Sequence, residues 1–377
     1  MTDQPVPVAT AGAVVTADEV EVVAGVDTHG QTHHVAVLTT IGGELGDREF
    51  PATAAGYAAL LAWVHDQGRL LRVGVEGTSS YGAGLARHLH DQDVAVVEID
   101  RPDRRARRHS GKSDPLDAYA AARAALAGTR VVVPKTGTGI VEAIRVIRVT
   151  RRSAVKARTQ TTNQLRSLLV TAPTGLREQL AGLKTPALVT TCARLRIATA
   201  DLSDPARAVR VALRRLARRH QQLTAEIRDA DRELRPLITA AAPTMTDRLG
   251  VNVEVAGQLL TTVGDNPDRM RSEAAFAHLC GVAPIPASSG RTRRHRLNRG
   301  GDRAANNAVY TVVLTRLRLD ERTRAYVTRR TREGLSKREI IRCLQRYVAR
   351  ELYQLLVTLP ASSSSWPTPA VPNAGQP

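Results

Sequence analysis

Lys112-Ser113-Asp114-Pro115-Leu116-Asp117-Ala118 sets two carboxylates three residues apart at the start of a helix-forming stretch. Residues three apart share one helix face, so Asp114 and Asp117 can converge on one point. Two more acids end short apolar runs: Asp27 after Val22-Val23-Ala24-Gly25-Val26, and Glu76 after Val73-Gly74-Val75. Singly, each has a plain reading. Asp27 and Glu76 close strands, and Asp114 and Asp117 complement a helix dipole. Together, in the order strand acid, strand acid, helix pair, they form a donor set for divalent metal. Two such ions can clamp the attacking and leaving oxygens of a phosphodiester.

Cations flank these acids. Lys112 stands beside the helix pair and can hold a scissile phosphate, and Arg104, Arg105, Arg107 and Arg108 can hold flanking nucleic acid. Such contacts position a backbone without reading its sequence. A second constellation lies far downstream. Pro284-Ile285-Pro286-Ala287-Ser288-Ser289-Gly290 is followed by Arg291, Arg293, Arg294 and Arg296, then Gly300-Gly301-Asp302. A serine beside glycine in a loop is accessible, and guanidiniums nearby can stabilise a developing oxyanion. On residues alone, a common Ser-Ser-Gly turn and a nucleophile loop read alike.

The chain of 377 residues carries a formal net charge of +18 and a sequence pI near 10.9, which indicates a polyanionic partner. The charge is uneven. Residues 1–100 hold 4 cations and 14 acids, residues 101–171 hold 16 and 4, and residues 288–350 hold 18 and 5. An acidic N-terminal part followed by basic blocks suits a metal site flanked by phosphate-binding surfaces. Cys192, Cys280 and Cys343 lack metal-ligand spacing and form no disulfide framework. Neither a membrane-length apolar run nor a secretory signal is found, so a cytoplasmic protein is expected.

The elements that must position these residues follow from periodicity. Three strands are expected at 21–27, 33–40 and 45–50, then a helix over 54–66, strand 71–76, helix 81–90, strand 94–98 and a helix through 101–108. Asp114 opens a helix over 114–127, with Pro115 in its first turn, where a missing N–H costs nothing. Three antiparallel strands followed by alternating helices and strands describe a ribonuclease-H-like mixed sheet. Long amphipathic helices over 138–171 and 204–237 form an antiparallel hairpin, or a coiled coil that dimerises. Their Arg-rich faces (Arg214, Arg215, Arg218, Arg219) are either solvated or track a backbone. Beyond them come helices near 254–263, 272–279, 303–318 and 336–356, with a Gly/Pro/Ser-rich loop over 281–301.

Asp27 at its strand end, Glu76 within Val-Glu-Gly-Thr, the Lys-Ser-Asp-Pro-Leu-Asp-Ala segment, and Ser289-Gly290 followed by basic residues and Asn307 together resemble one family. It is the DEDD-type transposases of the insertion-sequence one-hundred-and-ten family, the bridge-RNA-guided recombinases. The resemblance spans about 21–355; segment 250–271 joins it loosely, without the usual proline–glycine turn.

Residues 1–20, Ala/Val/Thr-rich without periodicity, read as a flexible leader, and the resemblance implies a RuvC-like DEDD catalytic domain over 21–135 and a helical coiled-coil region over 136–240. A mainly helical C-terminal transposase domain over 241–357 completes the resemblance, and the Ser/Pro-rich end, 358–377, reads as a disordered tail. The resemblance further implies that Asp27, Glu76, Asp114 and Asp117 bind Mg²⁺, as a two-metal site that Mn²⁺ can also fill. Ser289 would attack DNA to form a covalent phosphoserine link, with Ser288 the adjacent alternative. The implied partners are donor and target DNA, a noncoding guide RNA and further copies of the chain, as dimer or tetramer, in a bacterial cytoplasm on the nucleoid.

Other features read as structural. Strand alternation sends His33 and His34 to opposite faces, so His29, His33 and His34 do not make a joint metal cluster. A tyrosine nucleophile at Tyr81, Tyr310 or Tyr353 would leave four acids unexplained, and Cys280 and Cys343 read as core. Two rival functions stand beside the transposase. One is a RuvC-type metal-dependent nuclease such as a junction resolvase, which needs the acids but not Ser289. The other is a non-enzymatic basic coiled-coil protein that binds nucleic acid.

Overall fold

A computed structural model describes residues 20–99, 113–128, 131–196, 202–266, 270–291 and 295–357. The expected leader, tail and basic helix through 101–108 lie outside these residues, as do Arg104, Arg105, Arg107, Arg108, Lys112, Arg293 and Arg294. The chain divides into two compact units, 1–137 with 362–377, and 138–361.

In the first unit, β1 (Glu21–Thr28), β2 (Thr32–Thr39) and β3 (Glu44–Pro51) form an antiparallel meander. Helix α1 (Ala54–His65) starts where the Thr53 side chain accepts a hydrogen bond from Gly56 N. Strand β4 (Arg69–Glu76) then returns parallel to β1. After α2 (Ala83–Asp91), β5 (Val96–Ile99) lies parallel to β4. Helix α3 (Asp114–Ala127) ends at Gly128, whose φ of 62° is left-handed, and β6 (Val131–Val132) pairs antiparallel with β5. The six strands lie in the order β3-β2-β1-β4-β5-β6, a mixed sheet consistent with the ribonuclease-H-like arrangement.

Both faces of this sheet are covered. Val22, Ala24 and Val26 of β1 pack with Leu60, Val64, Leu85 and Leu89 of α1 and α2. On the opposite face Val23, Leu71, Val97 and Ile99 pack under Ala121 and Ala125 of α3. Burial on both sides explains why β1 is a continuous apolar run and not an alternating one, while β4 is interrupted by the buried Arg72.

The second unit is helical. Its α4 (Ile140–Val170) and α7 (Pro205–Ala241) form an antiparallel hairpin within one chain. Ile144 meets Leu234 and Ile238 at one end, Ala154 meets Leu223 and Ile227 midway, and Leu165 and Leu169 meet Leu213 and Ala217 at the other. Two short helices, α5 (Thr174–Ala181) and α6 (Thr185–Ala193), fill the far end. Helices α8 (Val253–Val263), α9 (Glu273–Leu279), α10 (Arg303–Leu319), α11 (Glu321–Arg332) and α12 (Lys337–Val357) complete the unit. The strands β7 (Ile285–Pro286) and β8 (His295–Arg296) form a small antiparallel ribbon between α9 and α10.

Buried Arg148 ties the hairpin to α8. Its guanidinium donates to Glu254 at 2.7 Å, Gln258 at 2.8 Å and Thr261 at 3.2 Å. Arg151 spans Asp231 at 2.7 Å and Glu254 at 2.9 Å. A Cβ on Gly257 would press within 2.6 Å of the Arg148 side chain, so glycine gives it room.

Candidate metal centre and serine loop

The acids are placed by backbone register. On adjoining parallel strands Gly25 pairs with Gly74 and Val26 with Val75, so Asp27 and Glu76 come next at the two strand ends. Side chains two apart share a sheet face, and here that face carries α3. A Cβ on Gly25 would overlap the backbone of Ala118 and Ala122, and one on Gly74 would lie 2.9 Å from the Ala121 carbonyl oxygen. The two glycines let α3 lie directly on the sheet. Its first turn, with Asp114 and Asp117, thereby comes to the strand ends. Thr28 Oγ1 donates to the Glu76 carbonyl oxygen at 3.0 Å and joins those ends.

The side chains of Asp27, His29 and Asp114 converge. His29 Nε2 lies 3.2 Å from Asp27 Oδ2 and 3.3 Å from Asp114 Oδ1, and one donor atom from each residue falls within 4.8 Å of the others. Asp27 and Asp117 are buried, whereas Asp114 is partly open. Burial raises the Asp27 carboxyl above its ordinary range. His29 opposes that rise, while the charges of Asp117 and Asp114 add to it. A buried Asp27 carboxylate repelled by two others fits a cation among them, and the oxygen-rich set suits a hard divalent ion.

Residues 24–172 match a family model described as a transposase, of the DEDD type of IS110 elements. Residues 245–328 match a second, described as Transposase IS116/IS110/IS902 family. The chain belongs to the IS110 family of transposases. The two matches cover about three fifths of it, and no curated protein matches it. It is therefore an enzyme that acts on DNA as a transposase or recombinase, and the DEDD family type suggests use of a divalent metal.

Sequence reasoning missed His29 in the transposase, because its nearness to Asp114 is a long-range relation. The other two histidines are accounted for separately. His33 is buried and stacks on Tyr57 with ring centroids 5.5 Å apart, and burial lowers its pKa. His34 Nε2 lies 2.6 Å from Asp47 Oδ2. The alternation that separated these two from a shared cluster holds. Tyr353 donates to the Met270 carbonyl at 3.1 Å and packs on Phe276, a structural role.

The serine loop of the transposase lies in the second unit. Ser288, Ser289 and Arg291 are exposed just beyond β7, and Arg296 is exposed on β8. Gly290 has φ +57°, a left-handed turn that favours glycine directly after the serines. The legs of this loop are pinned. A Cβ on Gly301 would overlap Gly281 N, Asn298 Nδ2 donates to His278 O at 3.0 Å, and Asn306 Nδ2 donates to Cys280 O at 2.9 Å. Asp302 caps α10 through Ala304 N at 2.7 Å and accepts from Thr262 Oγ1 at 2.8 Å. Asn307 is exposed on the first turns of α10. Among the described residues, no helix is long and apolar enough to cross a membrane.

Proposed function

We propose that this transposase cuts and rejoins DNA through a covalent phosphoserine intermediate. Asp27, Glu76, Asp114 and Asp117 hold Mg²⁺, which Mn²⁺ can replace, and Ser289 is the nucleophile. The observation that carries this reading is the convergence of Asp27 and Asp114, with Asp117 also acting on Asp27, in a chain whose family acts on DNA.

Bound metal supplies charge neutralisation at the phosphodiester and a more acidic attacking group. Asp27, Asp114 and Asp117 are pre-set by the glycine-mediated contact of α3 with the sheet, so little reorganisation is left for the reaction. Ser289 Oγ forms a bond to phosphorus and gives up its proton, while a sugar oxygen leaves and takes one up. The link keeps the energy of the phosphodiester, so attack by another sugar hydroxyl rejoins DNA without a further energy source. Arg291 and Arg296 flank the serine and hold phosphate.

A noncoding RNA from the same element guides donor and target choice, and further copies of the chain assemble on the DNA. The basic blocks at 101–171 and 288–350, together with the family resemblance, support that part. The test is recombination of a circular donor with target DNA in Mg²⁺, with and without RNA transcribed from the element's ends. A protein–DNA adduct that survives boiling in detergent is expected, and Ser289→Ala abolishes it. Cleavage that persists undiminished in Ser289→Ala, with no adduct in either protein, would replace this reading by metal-dependent hydrolysis.

A further inference from the structure

A cleft of about 840 Å³ opens between the root of the β7–β8 ribbon and α12. Arg296 of the ribbon faces it, as do Arg342, Arg346 and Arg350 of α12. The three helix positions are four residues apart, a row about 12 Å long on one face. Like charges at that spacing repel. Burial, and second the charge of Arg350, lowers the pKa of Arg346. Carboxylates balance them only in part. Among the described residues Glu339 is the one acid lining the cleft; it accepts from Ser336 N at 2.8 Å and Ser336 Oγ at 2.7 Å, and the Arg342 charge also acts on it. Arg346 and Arg350 share the single carboxylate of Glu273.

Tyr347 stands on the lip of the same cleft, 53% exposed. Its ring meets Tyr326 edge-on at 5.8 Å, and Arg329 lies over Tyr326 at 5.4 Å, so the exposed ring is braced from behind. An aromatic face beside a guanidinium row matches unpaired nucleotides: bases stack on the ring while the row tracks phosphates. The ribbon identifies which strand. His295 pairs with Pro286, and Ser289 follows Pro286 by three residues, about 10 Å of extended chain at most.

We infer that this cleft seats the unpaired DNA segment next to the scissile phosphate, with Arg342, Arg346 and Arg350 as positioning residues and Tyr347 as the stacking platform. The inference rests on the serine-loop reading for its choice of DNA. It is tested in a way that does not depend on the covalent step. Full-length protein carrying Ser289→Ala is titrated with a fluorescent single-stranded DNA and with RNA of the same sequence, over a salt series.

Adding Arg342→Gln and Arg350→Gln should weaken DNA binding about twenty-fold at 0.1 M salt, and flatten the log–log salt slope by about 1.4. Arg342→Lys with Arg350→Lys should restore most of the slope. Tyr347→Ala should weaken binding at least about five-fold, and Tyr347→Phe should not. A DNA whose tether ends in an activated mixed disulfide should exchange onto Cys343, releasing the leaving thiol, because Cys343 lines the cleft and is the cysteine that is not buried, and Cys343→Ser should not react. Unchanged DNA affinity and slope in the arginine pair would overturn the inference, as would losses confined to RNA. If these DNA effects appear while wild-type protein makes no phosphoserine adduct, the cleft stands and the nucleophile assignment falls.

Discussion

Gly25 of β1 and Gly74 of β4 are register partners, and α3 rests on both of them. Each sits two residues before an acid of the candidate metal centre. The chain thus uses one spacing twice to bring a helix start to two strand ends. Gly25→Ala must push its Cβ into the α3 backbone, which cannot rotate away as a side chain would. A loss of about 3 kcal/mol in urea unfolding is expected, with loss of DNA cleavage beyond what stability explains. Gly128→Ala, at a left-handed helix end in open space, should cost about 1 kcal/mol and leave cleavage intact.

Asp27→Asn and Asp114→Asn remove charge from the centre without changing shape. Each should slow DNA cleavage about a thousand-fold, near 4 kcal/mol of lost transition-state stabilisation. Calorimetric titration with Mn²⁺ should show weakened binding in both. Metal-free Asp27→Asn should be at least as stable as the wild type, because it removes a buried charge that its neighbours repel.

His29→Ala is expected to reduce cleavage by about 10- to 100-fold, the usual cost of disturbing a group that orients metal ligands. Raising Mn²⁺ should recover part of the loss. Cleavage at the wild-type rate would remove His29 from the centre.

Ser288 and Ser289 can be separated directly. Peptide mapping of the DNA adduct by mass spectrometry should place it on Ser289. Ser288→Ala should keep at least about a tenth of wild-type adduct formation, whereas Ser289→Ala should keep none above background, as expected for loss of a nucleophile.

The Cys280 thiol is pushed up to about 12, by burial first and the Asp302 charge second. In the unfolded chain this thiol ionises near its ordinary 9.0. Its contribution to stability is therefore full below pH 9 and is lost as pH rises from there toward 12. Between pH 9 and 11, stability should fall with pH less steeply in Cys280→Ala than in the wild type, by up to about 1.4 kcal/mol per pH unit. In native protein at pH 8, a thiol reagent should modify Cys343 and spare buried Cys192 and Cys280.

Much of this fold was legible because its signals are local. β1 to β3 fall within one or two residues of the expected strands, and α3 spans the expected 114–127, since Pro115, paired acids and Gly128 mark both ends. Strand β5 starts two residues later than expected, since Val94 and Ala95 precede the ladder. Other elements left no periodic trace. Helix α11, Glu-Arg-Thr-Arg-Ala-Tyr-Val-Thr-Arg-Arg-Thr-Arg, is almost wholly polar. Helices α5 and α6 are under three turns, and the two-residue strands of the ribbon are too short to alternate. Of the candidate centre, the acids were readable from type and order, and Asp27 and Asp114 come together with Asp117 acting on Asp27. The glycine contacts and His29 were not readable, because each depends on a partner tens of residues away.

Arg148 and Arg151 fasten one end of the hairpin to α8, while its other end has a separate apolar core closed by α5 and α6. Helix α4 alone is 31 residues, about 46 Å long. An arm of that length, stiff and clamped at its root, is a lever. From the arginine clamp to Val170 the arm is about 30 Å, so a tilt of one degree there displaces its tip by about 0.5 Å, and whatever grips the tip exerts torque on α8, whose Thr262 holds the Asp302 cap at the foot of the serine loop.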